Sequence, residues 1–357
     1  MPKKDLKKFF VTFTACLCLT LPVLSQVNKV LWELSQFGEQ DFFFKVSDIA
    51  VDPSQSKIYV ADSGNNRIVI FNFQGKFLGT IGKKGQGPGE FSRPTGIFVA
   101  SDSTLIVADF DNNRLQIFDP DGTLRRVVNT KETRVADLVV IDDKFFTIPS
   151  FGYSGFSMNL NSQEKSQPIV TVLDSEGNKI QEISVSDFPE SQPFIRAIKH
   201  RTCLAFSPDR KLYLAYFAMN IIQVFDLEGK KIAQFELPLP FEPITPKLER
   251  QSSSEGIIQM SASADTISRA AQVGPDGKLY VLIHKESSHD LQKKAGKREE
   301  IPLAAMQIEI INPSTYRVVG NIPCEPGTTV FSLLDKERLV FIYENRQGEL
   351  VLKCVKY

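Results

Sequence analysis

Histidine is the scarcest of the side chains in this sequence that could do chemistry. Among 357 residues there are three histidines, His200, His284 and His289. A catalytic zinc ion normally takes three protein ligands, often histidines, with water at a fourth position. All three histidines fall in long connections between predicted strands, but none repeats a known ligand motif. Ordinary surface histidines are therefore the favoured interpretation, and a three-histidine zinc site is the alternative.

Oxygen ligands would allow a calcium ion instead, held in a central channel. Asp137, Asn220 and Asp265 could contribute, although nothing in their spacing selects them. The Gly-rich segment GKKGQGPGEF at 82–91 lacks the strand-to-helix context and the Lys-Ser/Thr ending of a phosphate-binding loop. Neither a nucleophile elbow nor a Ser-His-Asp order is present. The sequence therefore predicts no catalytic residue and no cofactor, and it leaves Ca²⁺ or Zn²⁺ open.

Polar residues that recur along the chain invite a functional interpretation. The segments KIYVADSGNNRIVIFN and TLIVADFDNNRLQIFD share three polar positions: Asp62, Asn66 and Arg67 in the first, and Asp109, Asn113 and Arg114 in the second. An Asp at a strand end can accept backbone N–H bonds of the following turn, and the Arg can pair with it or with a neighbouring unit. Because buried turns need such partners, we expect a structural role for all six, with direct ligand contact as the alternative.

The elements that must position these residues are repeated units of four short strands. IYVAD and LIVAD are β-rich runs, RIVIF and RLQIF alternate like half-buried strands, and tight Gly turns follow. One more strand precedes each unit, which gives the four antiparallel strands of a propeller blade. Six such units begin near Asp48, Thr95, Ala136, Cys203, Ala271 and Thr329. The third unit is weak, so seven blades are the alternative count.

The last unit runs out of chain after three strands. The segment Lys29 to Gly38, KVLWELSQFG, resembles the fourth strand of the first unit. Pairing this segment with the last blade would close the ring and remove exposed strand edges. The predicted fold is an all-β, six-bladed β-propeller of four-stranded antiparallel blades, closed by its N-terminal strand.

VADSGNNRIVIFN and VADFDNNRLQIFD, with GQGPGEFSRPTGI between them, resemble NHL repeats of six-bladed propellers. The resemblance is close from Asp48 to Val128 and general afterwards. It points to a secreted bacterial type, most members of which have no assigned activity, so it implies the fold and not a reaction. Six-bladed propellers also include metal-dependent lactonases and an NHL-like zinc lyase. A metal-dependent hydrolase or lyase acting at the channel mouth is therefore the alternative function.

The long connections are unevenly distributed. Turns between the first and second strands, and between the third and fourth, are short; the insertions at 149–168, 186–201, 237–268 and 284–304 join second to third strands or one blade to the next. They should therefore share one face, where loops on a rigid scaffold commonly bind ligands. The predicted function is a non-catalytic scaffold that holds a protein, peptide or glycan there. Candidate contacts are Tyr153, Phe156, Arg196, His200, Arg201, Asp265, Arg269 and His284.

Composition and the N-terminus bear on location and partners. The chain has 42 basic and 42 acidic residues, which argues against nucleic acid as a partner. Residues 1–25 read as a cleaved signal peptide, with four lysines before the apolar run Phe9 to Leu24, so 26–357 would form the propeller outside the cytoplasm, in the periplasm or secreted. Lipoprotein anchoring at Cys16 is the alternative. No membrane span and no particular oligomeric state are predicted.

Three cysteines, Cys203, Cys324 and Cys354, remain after the predicted signal peptide. An odd number of scattered cysteines is no disulfide framework. Three half-buried thiols are favoured, and one bridge is the alternative.

Overall fold

Six four-stranded antiparallel sheets form a ring in a computed structural model of the chain. The structure describes residues 28–131, 133–149, 168–184, 195, 198–199, 201–244, 246–252, 258–287, 290–291 and 303–357. The predicted all-β, six-bladed propeller is confirmed.

Each blade runs outward from an innermost strand that borders the central channel. Blades 1 to 3 consist of Val46–Asp52, Lys57–Asp62, Arg67–Asn72 and Phe77–Ile81; Pro94–Val99, Leu105–Asp109, Arg114–Phe118 and Leu124–Asn129; and Val135–Ile141, Lys144–Pro149, Pro168–Leu173 and Lys179–Ser184. Blades 4 to 6 consist of Thr202–Phe206, Leu212–Tyr216, Ile221–Phe225 and Lys231–Glu236; Ser268–Val273, Leu279–His284, Met306–Asn312 and Arg317–Cys324; and Thr328–Leu333, Arg338–Glu344, Leu350–Lys356 and Lys29–Leu34. Short hairpins (Gln36–Phe37 with Asp41–Phe42, and Lys247–Ser252 with Ile258–Ser263) and 3₁₀ turns at Ser63–Asn65 and Phe110–Asn112 complete the described elements.

The ring is closed by the N-terminal strand, as predicted. Lys29–Leu34 pairs antiparallel with Leu350–Lys356 and supplies the outermost strand of blade 6. The indole Nε1 of Trp32 donates a hydrogen bond of 3.0 Å to the carbonyl oxygen of Phe73, so the closing strand is also tied to blade 1. This pairing covers an edge that an open sheet would expose.

The core lies between blades because the middle strands are covered on both faces. Lys57–Asp62 is buried at five of its six positions, whereas the outer strand Phe77–Ile81 alternates between half-buried and exposed residues. Between blades 6 and 1, for example, Phe71, Val340 and Leu352 pack in one cluster. The near-continuous apolar second strands of the sequence motif follow from this two-sided burial.

We call the face on which the innermost strands begin the upper face. The strand ends joined by second-to-third and blade-to-blade connections lie there, and each of the four long insertions joins strand ends of this kind. The opposite, lower face carries short turns such as the one at Gly177, where φ is +82° and a Cβ would overlap the carbonyl oxygen of Asn129. The predicted candidates Tyr153, Phe156, Arg196 and His200, together with His289, lie outside the described residues.

Candidate binding site at the channel mouth

A cavity of about 650 Å³ occupies the central channel. It is lined by the innermost strands of all six blades, and its size is within the range of small-molecule sites in proteins. In five of these strands the pairing with the second strand is irregular near the first residues, as between Val46 and Asp48 or between Ser268 and Ala270. Such bulges re-aim side chains, and they lie on the upper side of the channel.

Two carboxylates line this cavity, Asp48 in blade 1 and Asp137 in blade 3. Asp48 accepts bonds of 2.8 Å from the backbone N–H groups of Ile49 and Ile97, and so ties blade 1 to blade 2. Asp137 accepts from Leu138 at 2.8 Å and from Leu204 at 3.2 Å, and so ties blade 3 to blade 4. The pair therefore has a structural role at two blade junctions.

The channel environment opposes ionisation of both carboxyls. Burial, followed by the negative charge of Asp137, raises the pKa of Asp48 well above its ordinary value. Burial raises the pKa of Asp137 to about 6. Each carboxyl therefore stays uncharged to a higher pH than an ordinary aspartate does, and in that form it can donate as well as accept hydrogen bonds.

The thiol of Cys203 lines the same cavity but is poorly suited to nucleophilic chemistry. Burial, with the nearby charge of Asp137, raises its pKa to about 12, so the reactive thiolate is scarce at neutral pH. Cys324 and Cys354 are also free thiols, and burial raises the pKa of each to about 12. The possible disulfide among the three is not formed in this structure.

A set of cations surrounds the upper opening of the channel, and we call its members the rim cations. Four of them occupy the residue immediately before the innermost strand of blades 1 to 4, and the fifth lies at the bulge of blade 5: Lys45, Arg93, Arg134, Arg201 and Arg269. Three of the five, Arg93, Arg201 and Arg269, line the cavity itself.

Aromatic rings of the upper face support several rim cations. The guanidinium carbons of Arg93 and Arg134 lie 4.2 Å and 5.8 Å from the ring centroid of Phe110, and that of Arg201 lies 4.0 Å from Phe217. The same backbone bond brings ring and cation together in blades 2 and 4: Phe110 N–H donates to the Arg93 carbonyl, and Phe217 N–H to the Arg201 carbonyl. Stacking of this kind orients the guanidinium and leaves donors at its edge.

Two predicted contact residues are buried and bonded. Asp265 is fully buried and accepts hydrogen bonds from the backbone of Ile244 and from the hydroxyl of Ser287, so it links two upper-face connections. His284 is 6% exposed, and its Nε2 accepts a bond of 3.2 Å from Arg269 Nε. Burial, then the positive charge of Arg269, lowers the pKa of His284 to about 4, so it is neutral at physiological pH.

Arg201 and Arg269 are the predicted residues that the structure brings together at the cavity. Both are exposed. Sequence reasoning missed Lys45, Arg93 and Arg134, which lie outside the long insertions that guided the prediction. The available signal was the basic residue just before the innermost strand of blades 1 to 4, a pattern that requires the strand starts of the irregular blades 3 and 4 to be known.

The repeated polar residues make the contacts that a structural role requires. Asp62 is fully buried, accepts from the backbone of Phe44 at 2.7 Å and pairs with Arg67 at 2.9 Å; Arg67 also pairs with Asp41. In blade 2, Asp109 accepts from the backbone of Ser92 and pairs with Arg114, each at 2.7 Å.

The two repeated asparagines, Asn66 and Asn113, adopt left-handed backbone conformations, with φ of 56° and 50°. The side-chain oxygen of Asn66 accepts the backbone N–H of Arg93 at 2.8 Å. In blade 1 the motif thereby positions the start of blade 2, whereas the side-chain oxygen of Asn113 has no hydrogen-bond partner among the described residues. The structural role of these six repeated residues stays a prediction, with direct ligand contact as its alternative.

Two further features concern metal binding and membranes. Within the part of the chain that the structure describes, there is no cluster of three or more His, Cys, Asp or Glu side chains that could hold a metal ion. In that same part, no helix has the length and apolarity to cross a membrane.

Comparison with known proteins supports the fold. Residues 45–202 match a family model described as a domain of unknown function, DUF4934. A crystal structure of a DUF4221 family member from Bacteroides vulgatus is similar, with a TM-score of 0.60, 12% identity, and coverage of 92% of this chain and 98% of the other. No curated protein sequence matches this chain.

Two enzymes share the fold at lower similarity. A gluconolactonase from Xanthomonas campestris has a TM-score of 0.52 and 15% identity, covering 91% of this chain and 88% of its own. Virginiamycin B lyase from Staphylococcus aureus has a TM-score of 0.51 and 12% identity, covering 91% and 99%. Likeness at this level concerns the propeller architecture alone. The resemblance to NHL repeats stays a prediction.

Proposed function

We propose that this chain is an exported, non-catalytic binding propeller that holds a protein, peptide or glycan ligand on its upper face. The observation that supports this most is a cavity of about 650 Å³ that three rim cations, Arg93, Arg201 and Arg269, line from three different blades. Loops and strand ends positioned by a rigid ring are suited to binding, since the scaffold limits the entropy lost when a ligand is held.

A binding screen with matched variants tests this function. Labelled purified protein would be applied to arrays of peptides and glycans, beside Arg201→Ala on the upper face and Arg210→Ala on the lower face. Each variant removes one exposed cation, and Arg210 forms an ion pair with Asp142 far from the channel mouth. We expect array spots that bind the wild type and the Arg210 variant but do not bind the Arg201 variant. Binding that is unchanged by both substitutions, or no binding at all, would contradict the proposal.

Export is a separate element of the proposal and rests on the first 25 residues. Cleavage before Gln26 gives a mature chain of 26–357, whose intact mass in the periplasmic or culture fraction is the test. A cytoplasmic protein of full mass would contradict export, and a lipid-modified Cys16 would support the lipoprotein alternative.

The metal-dependent hydrolase or lyase is the alternative proposal, and metal analysis separates the two. Stoichiometric zinc or calcium that survives dialysis, and is lost in Asp137→Ala or Asp265→Ala, would favour the enzyme. Protein that binds array ligands equally well before and after treatment with a chelator supports the scaffold.

A further inference from the structure

A blade does not need a rim cation in order to form its four-stranded sheet. Blades 5 and 6 have Ile267 and Gly327 at the position before the innermost strand, where blades 1 to 4 have Lys45, Arg93, Arg134 and Arg201. All six blades nevertheless form the same four-stranded sheet. A residue type that recurs without being needed by the repeat requires another explanation.

The described residues neutralise the charge of three rim cations, Lys45, Arg93 and Arg134, incompletely. Lys45 and Arg134 contact aromatic rings and make no ion pair with any residue that the structure describes. Arg93 pairs with Asp111 through one terminal nitrogen at 2.7 Å, while its Nε has no hydrogen-bond acceptor among the described residues. On the lower face, by contrast, Lys211, Lys278 and Arg338 each lie 2.7–2.8 Å from a carboxylate of their own turn.

Cations gathered around one opening attract anions more strongly than scattered ones. The low-dielectric walls of a cleft concentrate the field of charges at its mouth. A guanidinium whose flat face is stacked presents its edge donors to an oxyanion in fixed geometry. The anion should stay at the rim, because the burial in the deeper channel that opposes ionisation of Asp48 and Asp137 also disfavours the charge of a bound anion.

The deeper channel suits a different part of a ligand. Each channel carboxyl already accepts two backbone N–H bonds but retains further lone pairs for hydroxyl donors. The cavity volume accommodates a unit of sugar size. A ligand that places an oxyanion at the rim and hydroxyl groups toward Asp48 and Asp137 satisfies both ends.

We propose that the upper face binds an acidic glycan, with the oxyanion of a sugar unit at the rim cations and its hydroxyl groups in the channel. This inference rests on the proposed binding function and specifies its ligand class. Carboxylate and sulfate share the required chemistry, and an acidic peptide is the competing class of ligand.

The test measures dissociation constants by calorimetry for four probes: an oligogalacturonate, a sulfated oligosaccharide, a neutral malto-oligosaccharide of equal length, and a poly-glutamate peptide. We expect binding of one or both anionic oligosaccharides, at least ten times tighter than the neutral one and at least ten times weaker at 0.5 M than at 0.05 M NaCl. The carboxylated and sulfated probes identify which oxyanion is preferred.

Matched variants locate the effect. The double substitution Arg93→Ala with Arg134→Ala should weaken binding of the anionic oligosaccharide at least tenfold. Arg93→Lys with Arg134→Lys should recover part of it, because the charge is kept while the fork of donors is lost. Arg210→Ala on the lower face should bind like the wild type. Thermal melting of every variant separates weakened binding from failure to fold.

Three results would overturn the inference. The first is that the neutral probe binds as tightly as the anionic oligosaccharides. The second is that poly-glutamate binds and the anionic oligosaccharides do not, and the third is that the rim variants bind the anionic oligosaccharides as the wild type does. The proposed binding function survives any of these results if array ligands of another class bind the wild type and do not bind Arg201→Ala. It fails separately if no ligand depends on the upper face.

Discussion

On the lower face, every blade has an aspartate at the end of its first strand or in the connection to the second, whereas on the upper face the residue before the first strand is a cation in blades 1 to 4. The lower-face set is Asp52, Asp102, Asp142, Asp209, Asp276 and Asp335. The pKa of each lies below its ordinary value because hydrogen bonds from neighbouring side chains or turn backbone favour the charged form, against the opposing effect of burial.

The two faces therefore use charge differently. Lower-face carboxylates are held by their own turns: Asp276, for example, accepts from the backbone and ammonium of Lys278 and from the hydroxyl of Tyr280. Upper-face cations such as Arg134 are held by aromatic rings and keep their charge available. Repetition alone does not indicate function. The repeated acids complete the fold, and the repeated cations surround a cavity.

The largest expected effect is on stability and concerns the repeat motif. Asp109→Ala leaves the buried side of Arg114 without its carboxylate and removes the acceptor for Ser92 N–H, Asn112 and Gln116. Losing one partner of a buried ion pair should lower the free energy of unfolding by about 3–5 kcal/mol, measured by urea denaturation. The exposed neighbour Asp111, paired with Arg93, is the matched control, and its alanine variant should lose less than about 1 kcal/mol. Similar losses at both positions would contradict the scaffold role.

A smaller effect distinguishes the channel acids from the lower-face acids by pH. The pKa of Asp137 is raised to about 6, so its contribution to stability is present below the unfolded value near 4 and is lost as pH rises through 6. The pKa of Asp276 is lowered, so its contribution is present above pH 4 and is lost as pH falls below it.

Asparagine variants of these two residues should therefore respond in opposite directions. Between pH 5 and pH 7.5, Asp137→Asn should gain stability relative to the wild type by on the order of 1 kcal/mol. Asp276→Asn should be less stable than the wild type at pH 7 by about 0.5–1 kcal/mol and should approach it at pH 3. Denaturation curves at these pH values are the measurement. If the stability of the two variants relative to the wild type changed with pH in the same direction, the proposed difference between the two sets of acids would be contradicted.

The smallest expected effect is the stability cost of removing a rim cation. Arg134→Ala loses a contact to Phe110 and no ion pair with a described residue, so its free energy of unfolding should fall by at most about 1 kcal/mol. Lower-face Arg210→Ala should cost a similarly small amount, because both it and Asp142 are more than half exposed. A loss of 3 kcal/mol at Arg134 would show that the rim cations are part of the scaffold.

The sequence was sufficient for the ring but not for the site. Blades 1 and 2 share a motif whose spacing follows directly from strand and turn geometry, and the missing strand of blade 6 was recoverable at Lys29–Leu34 for the same reason. The burial of Asp265 was not predictable, because its partner Ser287 belongs to a different connection. Asp137 was named from the sequence as a possible channel ligand, but Asp48 was not, since the two lie 89 positions apart and line one cavity only through the curvature of the ring.

Reversing one charge on each face tests the assignment of binding to the upper face most directly. The measurement is the dissociation constant of the tightest anionic oligosaccharide for Arg201→Glu and for Arg210→Glu, beside the wild type. Both substitutions change the net charge equally, and thermal melting of both confirms folding. We predict at least a hundredfold loss for Arg201→Glu and less than a twofold change for Arg210→Glu. Equal losses in the two variants, or none in either, would contradict a ligand held at the rim cations.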